Sequence, residues 1–113
     1  MRLKVLTLCL VVALTGTAVA RSNSQQLPSG TVAHGTLTND KLRSDAMVGV
    51  RQVMSGRGCA AIVNVTPYVL TQPVGKPGNR VWRERWHVNC GGKATPVIML
   101  FKESGLGADW TVE

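Results

Sequence analysis

The chain has 113 residues, 13 Lys and Arg against 6 Asp and Glu, a formal net charge of +7 and three cysteines. That length holds one compact domain with a small core and excludes two. The positive balance favours contact with anionic surfaces such as envelope polymers, lipid head groups or an acidic protein.

Arg2 and Lys4 precede an apolar run from Val5 to Leu14, and Thr15-Gly16-Thr17 leads into Ala18-Val19-Ala20. A charged start, an apolar stretch and a small-residue cleavage site together make a cleavable secretory signal peptide. The run is about ten residues long, half of what spans a bilayer. The sequence therefore predicts export from Met1 to Ala20, to the periplasm or beyond the cell, with Cys9 discarded in the process. Removing that segment leaves 93 residues from Arg21, with 11 basic and 6 acidic side chains and a net charge of +5. Cys59 and Cys90 remain, and a pair in an exported chain reads as one disulfide. Closing that loop stabilises a small domain by about 3 kcal/mol on the chain-entropy account.

Residues 21–36 are rich in Ser, Gln, Gly and Thr and read as a mobile leader, with room for a short edge strand around Thr31 to Ala33. Residues 37–113 read as a single α+β domain. Leu42, Ala46, Met47, Val50, Val53 and Met54 recur at spacings of three and four, which predicts one face of a helix. Asn39 suits the N-cap, Asp40 suits the positive end of the dipole, and Gly56 and Gly58 supply the stop. The period then switches to two over Ala60 to Leu70, Arg80 to Cys90, Thr95 to Lys102 and Asp109 to Val112. Gly- and Pro-bearing separators lie between these stretches, as turns require. The predicted architecture is one amphipathic helix packed on a four-stranded antiparallel meander.

Placing Cys59 opposite Cys90 across the first hairpin pairs Ala61 with Val88, Val63 with Trp86, Val65 with Glu84 and Pro67 with Trp82. The other face then pairs Asn64 with Arg85 and Thr66 with Arg83. One face is largely apolar and the other polar, as in a half-buried sheet. Val97, Met99, Phe101, Trp110 and Val112 extend the inner face, against which the helix lays its stripe. Glu84 is the misfit, because a buried carboxylate must find partners or stay protonated. It is expected at the sheet edge in water or paired with a helix arginine such as Arg51, with a functional acid as the alternative.

The stretch Trp82-Arg-Glu84-Arg-Trp86-His-Val88-Asn-Cys90-Gly91, with the Gly105-Leu-Gly107-Ala-Asp109-Trp110 ending, resembles small exported proteobacterial proteins of uncharacterised function. Their tails read W-x-E-x-W-x-V-x-x-C-G, then a strand, a Gly-rich turn and a hydrophobic close. The resemblance covers about the last third of the chain and carries no catalytic residue across. The cysteine here comes one position early. The helix-plus-meander outline is also similar in shape to the cystatins, whose inhibitors block cysteine proteases with hairpin loops. Gln72-Pro73-Val74-Gly75 resembles their Q-x-V-x-G loop, with Gly75 one place too soon and Lys76 at the glycine position.

Catalysis needs a nucleophile, a base and an orienting group, or a metal cluster. The chain after Ala20 offers His34, His87 and scattered acids, so no catalytic residue, metal site or cofactor site is predicted. Arg83 and Arg85 alternate with Trp82 and Trp86, so cations and rings point to opposite faces and cannot form a nucleic-acid stacking platform. The outer face is the candidate site: Ile62, Ile98 and Leu100 among Arg83, Arg85 and His87 make an apolar patch rimmed by cations. The sequence thus predicts an exported, non-enzymatic binding module, such as an inhibitor, an immunity-type protein or an envelope accessory, that engages a protein or an anionic envelope component. The alternative is a structural subunit of an envelope or secretion assembly. Intact mass and thiol titration of the purified protein check the first step: a chain starting at Arg21 with no titratable thiol is expected.

Overall fold

The computed structural model describes residues 26–113. The signal peptide expected at Met1 to Ala20, Cys9 with it, and residues 21–25 of the leader lie outside the described residues. The elements in chain order are β1 (Ala33–His34), α1 (Asp40–Gly56), β2 (Asn64–Val69), β3 (Val81–Asn89), β4 (Ala94–Ser104) and β5 (Gly107–Val112). All neighbouring strands are antiparallel and the sheet runs β1-β2-β3-β4-β5. The α+β fold is as predicted, but the sheet has five strands rather than four. The extra strand comes from the segment read as a leader, where Val32 N–H donates to Val69 O at 2.7 Å and Gly35 N–H to Pro67 O at 3.0 Å.

The helix begins where the sequence places it. Asn39 Oδ1 accepts from Leu42 N–H at 2.8 Å, satisfying one of the free amides of the first turn. Its buried stripe is Leu42, Ala46, Gly49, Val50 and Met54. Gly49 is the unexpected member, since a mid-helix glycine weakens a helix by about 1 kcal/mol relative to alanine. A β-carbon there would overlap the Trp110 ring, so the glycine lets β5 lie directly on the helix. The core joins this stripe to Trp82, Trp86, Val88, Val97, Met99 and Phe101 on the inner sheet face.

Cys59 and Cys90 form the disulfide, with Cα atoms 5.7 Å apart. The register deduced from it needs correction. Val65 faces Val88, Pro67 faces Trp86 and Val69 faces Glu84, four residues along from the expected pairing. Cys59 lies in the connection after α1, outside β2, so the bridge ties the end of the helix to the end of β3 without setting the ladder. The slip is even-numbered, so every side chain within the β2–β3 ladder keeps its face. Val63, expected opposite Trp86, is instead 64% exposed and precedes β2, while Ile62 packs toward the core and is absent from the outer face.

Glu84 meets neither expected fate. It is fully buried, and its carboxylate accepts four hydrogen bonds. Oε1 takes Thr36 Oγ1–H at 2.6 Å and Trp86 Nε1–H at 2.8 Å. Oε2 takes Leu37 N–H at 2.9 Å and Trp82 Nε1–H at 2.8 Å. Alternation puts residues 82, 84 and 86 on one face, so both indoles reach the acid between them. Replacing one oxygen by an amide, in Glu84→Gln, sets an N–H₂ against an indole N–H in either orientation. The variant is expected to lose about 2 to 4 kcal/mol, read as a lower denaturant midpoint with an unchanged slope.

Candidate functional site

The outer face of the sheet is built by the residues that alternate with this core. In the β3–β4 ladder Arg83 lies beside Leu100, Arg85 beside Ile98 and His87 beside Pro96. Five of the six residues singled out in the sequence, Arg83, Arg85, His87, Ile98 and Leu100, therefore share one surface, opposite the helix, and Ile62 does not join them. Ile98 and Leu100 are half-buried by their neighbours.

Three contacts on this face are not among the sequence expectations. Tyr68 of β2 stands between two imidazoles, its ring centroid 5.5 Å from that of His34 and 5.0 Å from that of His87. Arg83 forms a two-pronged pair with Glu113, Nε to Oε1 at 2.8 Å and Nη2 to Oε2 at 3.1 Å. Arg85 donates to the Ser29 carbonyl at 2.7 Å, which holds the Pro28–Thr31 turn at the rim. The parity of β2 alone would have found Tyr68, because even-numbered residues there face outward with Thr66. Nothing local could have found Ser29 or Glu113, since both arrive by chain crossing.

Burial holds the His87 imidazole below its ordinary value, and the nearby Arg85 cation acts in the same direction. His87 therefore offers a neutral ring at physiological pH, leaving the arginines as the cations of the face. Arg83 is matched by Glu113, and Arg85 forms no ion pair among the described residues.

A second cluster sits where two hairpins meet. The Glu103 carboxylate accepts from Gly78 N–H at 3.0 Å, Arg80 N–H at 2.9 Å and Arg80 Nε at 2.9 Å, and its other oxygen takes Arg80 Nη2 at 2.8 Å. Gly105 N–H donates to Gly78 O at 3.0 Å beside it, so the β2–β3 and β4–β5 connections are tied together. A cleft of ≈ 450 Å³ opens next to this cluster, lined by Leu37, Leu42, Trp82, Glu103 and Ala108 among others. Glu103 is fully engaged there, and the other two ionisable residues lining the cleft, Lys41 and Asp45, pair with each other at 3.1 Å. Among the described residues, no group of three His, Cys, Asp and Glu side chains comes together as a metal site needs, and no helix is long and apolar enough to cross a membrane.

Comparison of the chain with protein-family models, with curated proteins and with solved structures finds no match in any of the three.

The hydrogen bonds from Arg80 hold the Glu103 carboxyl at about 2, below its ordinary value of 4.5. A carboxyl whose value falls on folding contributes stability above its unfolded value and loses it as pH drops through the folded one. The tie between the two hairpins is therefore expected to be intact above pH 4.5 and to weaken progressively toward pH 2. Thermal melts across that range check this, and Glu103→Gln should flatten the acid limb of the profile.

Proposed function

We propose that the protein is an exported, non-enzymatic binding module of the periplasm or the extracellular space. It engages another protein or an anionic envelope component through the outer sheet face. One observation carries this reading: the β3–β4 register brings Arg83, Arg85, His87, Ile98 and Leu100 onto one contiguous surface. Tyr68 widens that surface onto β2.

The composition suits recognition better than catalysis. An apolar centre with cations around it excludes water at the middle and orients a partner at the rim. The surrounding strands give it rigidity, because its side chains project from a paired ladder. The disulfide agrees with an oxidising compartment. Arg85 and the Tyr68–His87 pair are the anchors by chemistry, a guanidinium for carboxylate or phosphate and an aromatic edge for apolar contact.

Reversing both charges in Arg83→Glu/Arg85→Glu should leave the fold intact and lower capture of the partner from an envelope extract by about tenfold or more. Changing Trp86→Ala should instead cost roughly 3 to 5 kcal/mol and unfold so small a domain. Quantitative capture beside circular dichroism of both variants decides the matter. Undiminished capture by the double glutamate variant sinks the assignment.

A further inference from the structure

On the helix side of the sheet, a groove of ≈ 350 Å³ runs between α1 and the start of β2. Its helix wall is Arg43, Met47 and Arg51, and its floor includes Ile62 and Val65. Arg43 and Arg51 are exposed and form no ion pair among the described residues.

Among the described residues, the sheet edge beside this groove is open. β1 is two residues long and pairs with Tyr68 and Val69, the last two of the six residues of β2. The reason lies at Gly35, whose φ of +86° turns the chain out of the strand. Thr36 and Leu37 then cross to the inner side and bond to Glu84. The carbonyls of Pro67 and Val69 point to the β1 side, accepting from Gly35 and Val32. By alternation Val65 turns its N–H and C=O the same way, past the point where β1 has left the sheet.

We propose that this edge and groove form a docking site for an acidic extended segment of a partner protein, which adds to the sheet as a short strand beside Asn64 to Thr66. The site lies away from the outer face, so it stands or falls independently of the binding surface assigned there. Spacing supports an extended peptide. Arg43, Met47 and Arg51 repeat every four residues, about 6 Å along a helix. Same-face residues of a strand repeat at about 6.8 Å. An acid, an apolar residue and an acid at alternate positions of the added strand therefore meet Arg43, Met47 and Arg51 in turn. Backbone pairing to Val65 supplies direction, which a lipid head group cannot use. A second copy of this chain is disfavoured as occupant, since the net charge of +5 that remains after Ala20 meets two arginines here.

The probe is the capped peptide acetyl-Ser-Glu-Thr-Val-Thr-Glu-Ser-amide, titrated into the isotopically labelled, disulfide-bonded protein and followed by amide resonances. Shifts are expected at Val63, Asn64, Val65 and Thr66, with Arg85 and His87 unmoved, together with slower hydrogen exchange at the Val65 amide. Arg43→Glu/Arg51→Glu, both at exposed positions, should weaken binding by about tenfold or more. Equal binding of the peptide with lysine at both acidic positions overturns the proposal, as does equal binding of one N-methylated at its valine and both threonines. So does perturbation of the same amides by phosphatidylglycerol vesicles but not by the peptide, or a concentration-dependent dimer that protects Val65.

Discussion

Four hydrogen bonds converge on the buried carboxylate of Glu84, and the arrangement of the whole molecule depends on them. An isolated carboxylate in an apolar core costs many kcal/mol, and only a full set of donors removes that cost. Two donors come from the same strand, the indoles of Trp82 and Trp86. The other two come from Thr36 and Leu37, the residues that lead into the helix. The acid therefore orients the two largest core rings and fixes where the chain leaves β1 and starts α1. Phe101 then packs against both indoles, at centroid distances of 5.2 and 6.0 Å.

Glu103 does related work at the other end of the sheet, but at the surface. It gathers two backbone amides and the Arg80 guanidinium, and so fastens one hairpin connection to another. Both acids act by accepting from donors that loops would otherwise leave unpaired. The difference is the dielectric. Glu103 keeps a cation as its partner and gains from being charged, whereas Glu84 relies on neutral dipoles held by the core.

Among the described residues, these constraints leave two surfaces uncovered, for different reasons. The helix rests on β5, drawn there by the close approach of Gly49 to Trp110, so the inner face of β2 is left beside a groove. The outer face lies opposite the helix, and its charges are arranged by residues from distant parts of the chain: Ser29 at Arg85 and Glu113 at Arg83. A single small domain thus presents one broad mixed surface and one narrow basic groove. Their chemistries differ, so ligands of one need not compete for the other.

Periodicity by itself determined the helix and the two faces of the ladder, while the residue type at Asn39 indicated the cap and the two cysteines remaining after Ala20 indicated the Cys59–Cys90 pairing. Parity is why the candidate residues Arg83, Arg85, His87, Ile98 and Leu100 fall on one face even though the ladder is displaced by four positions. Tertiary structure alone decided the register, the pairing of the short edge strand allowed for near Ala33 and the fate of Glu84. The register is set by which loop lengths and core contacts close together, and a disulfide at the strand's margin does not specify it. β1 is too short to show a period, and it exists because Val69 and Pro67 offer carbonyls along an edge. Two of the four donors to Glu84 arrive from nearly fifty residues earlier in the chain, a distance over which no local pattern carries information.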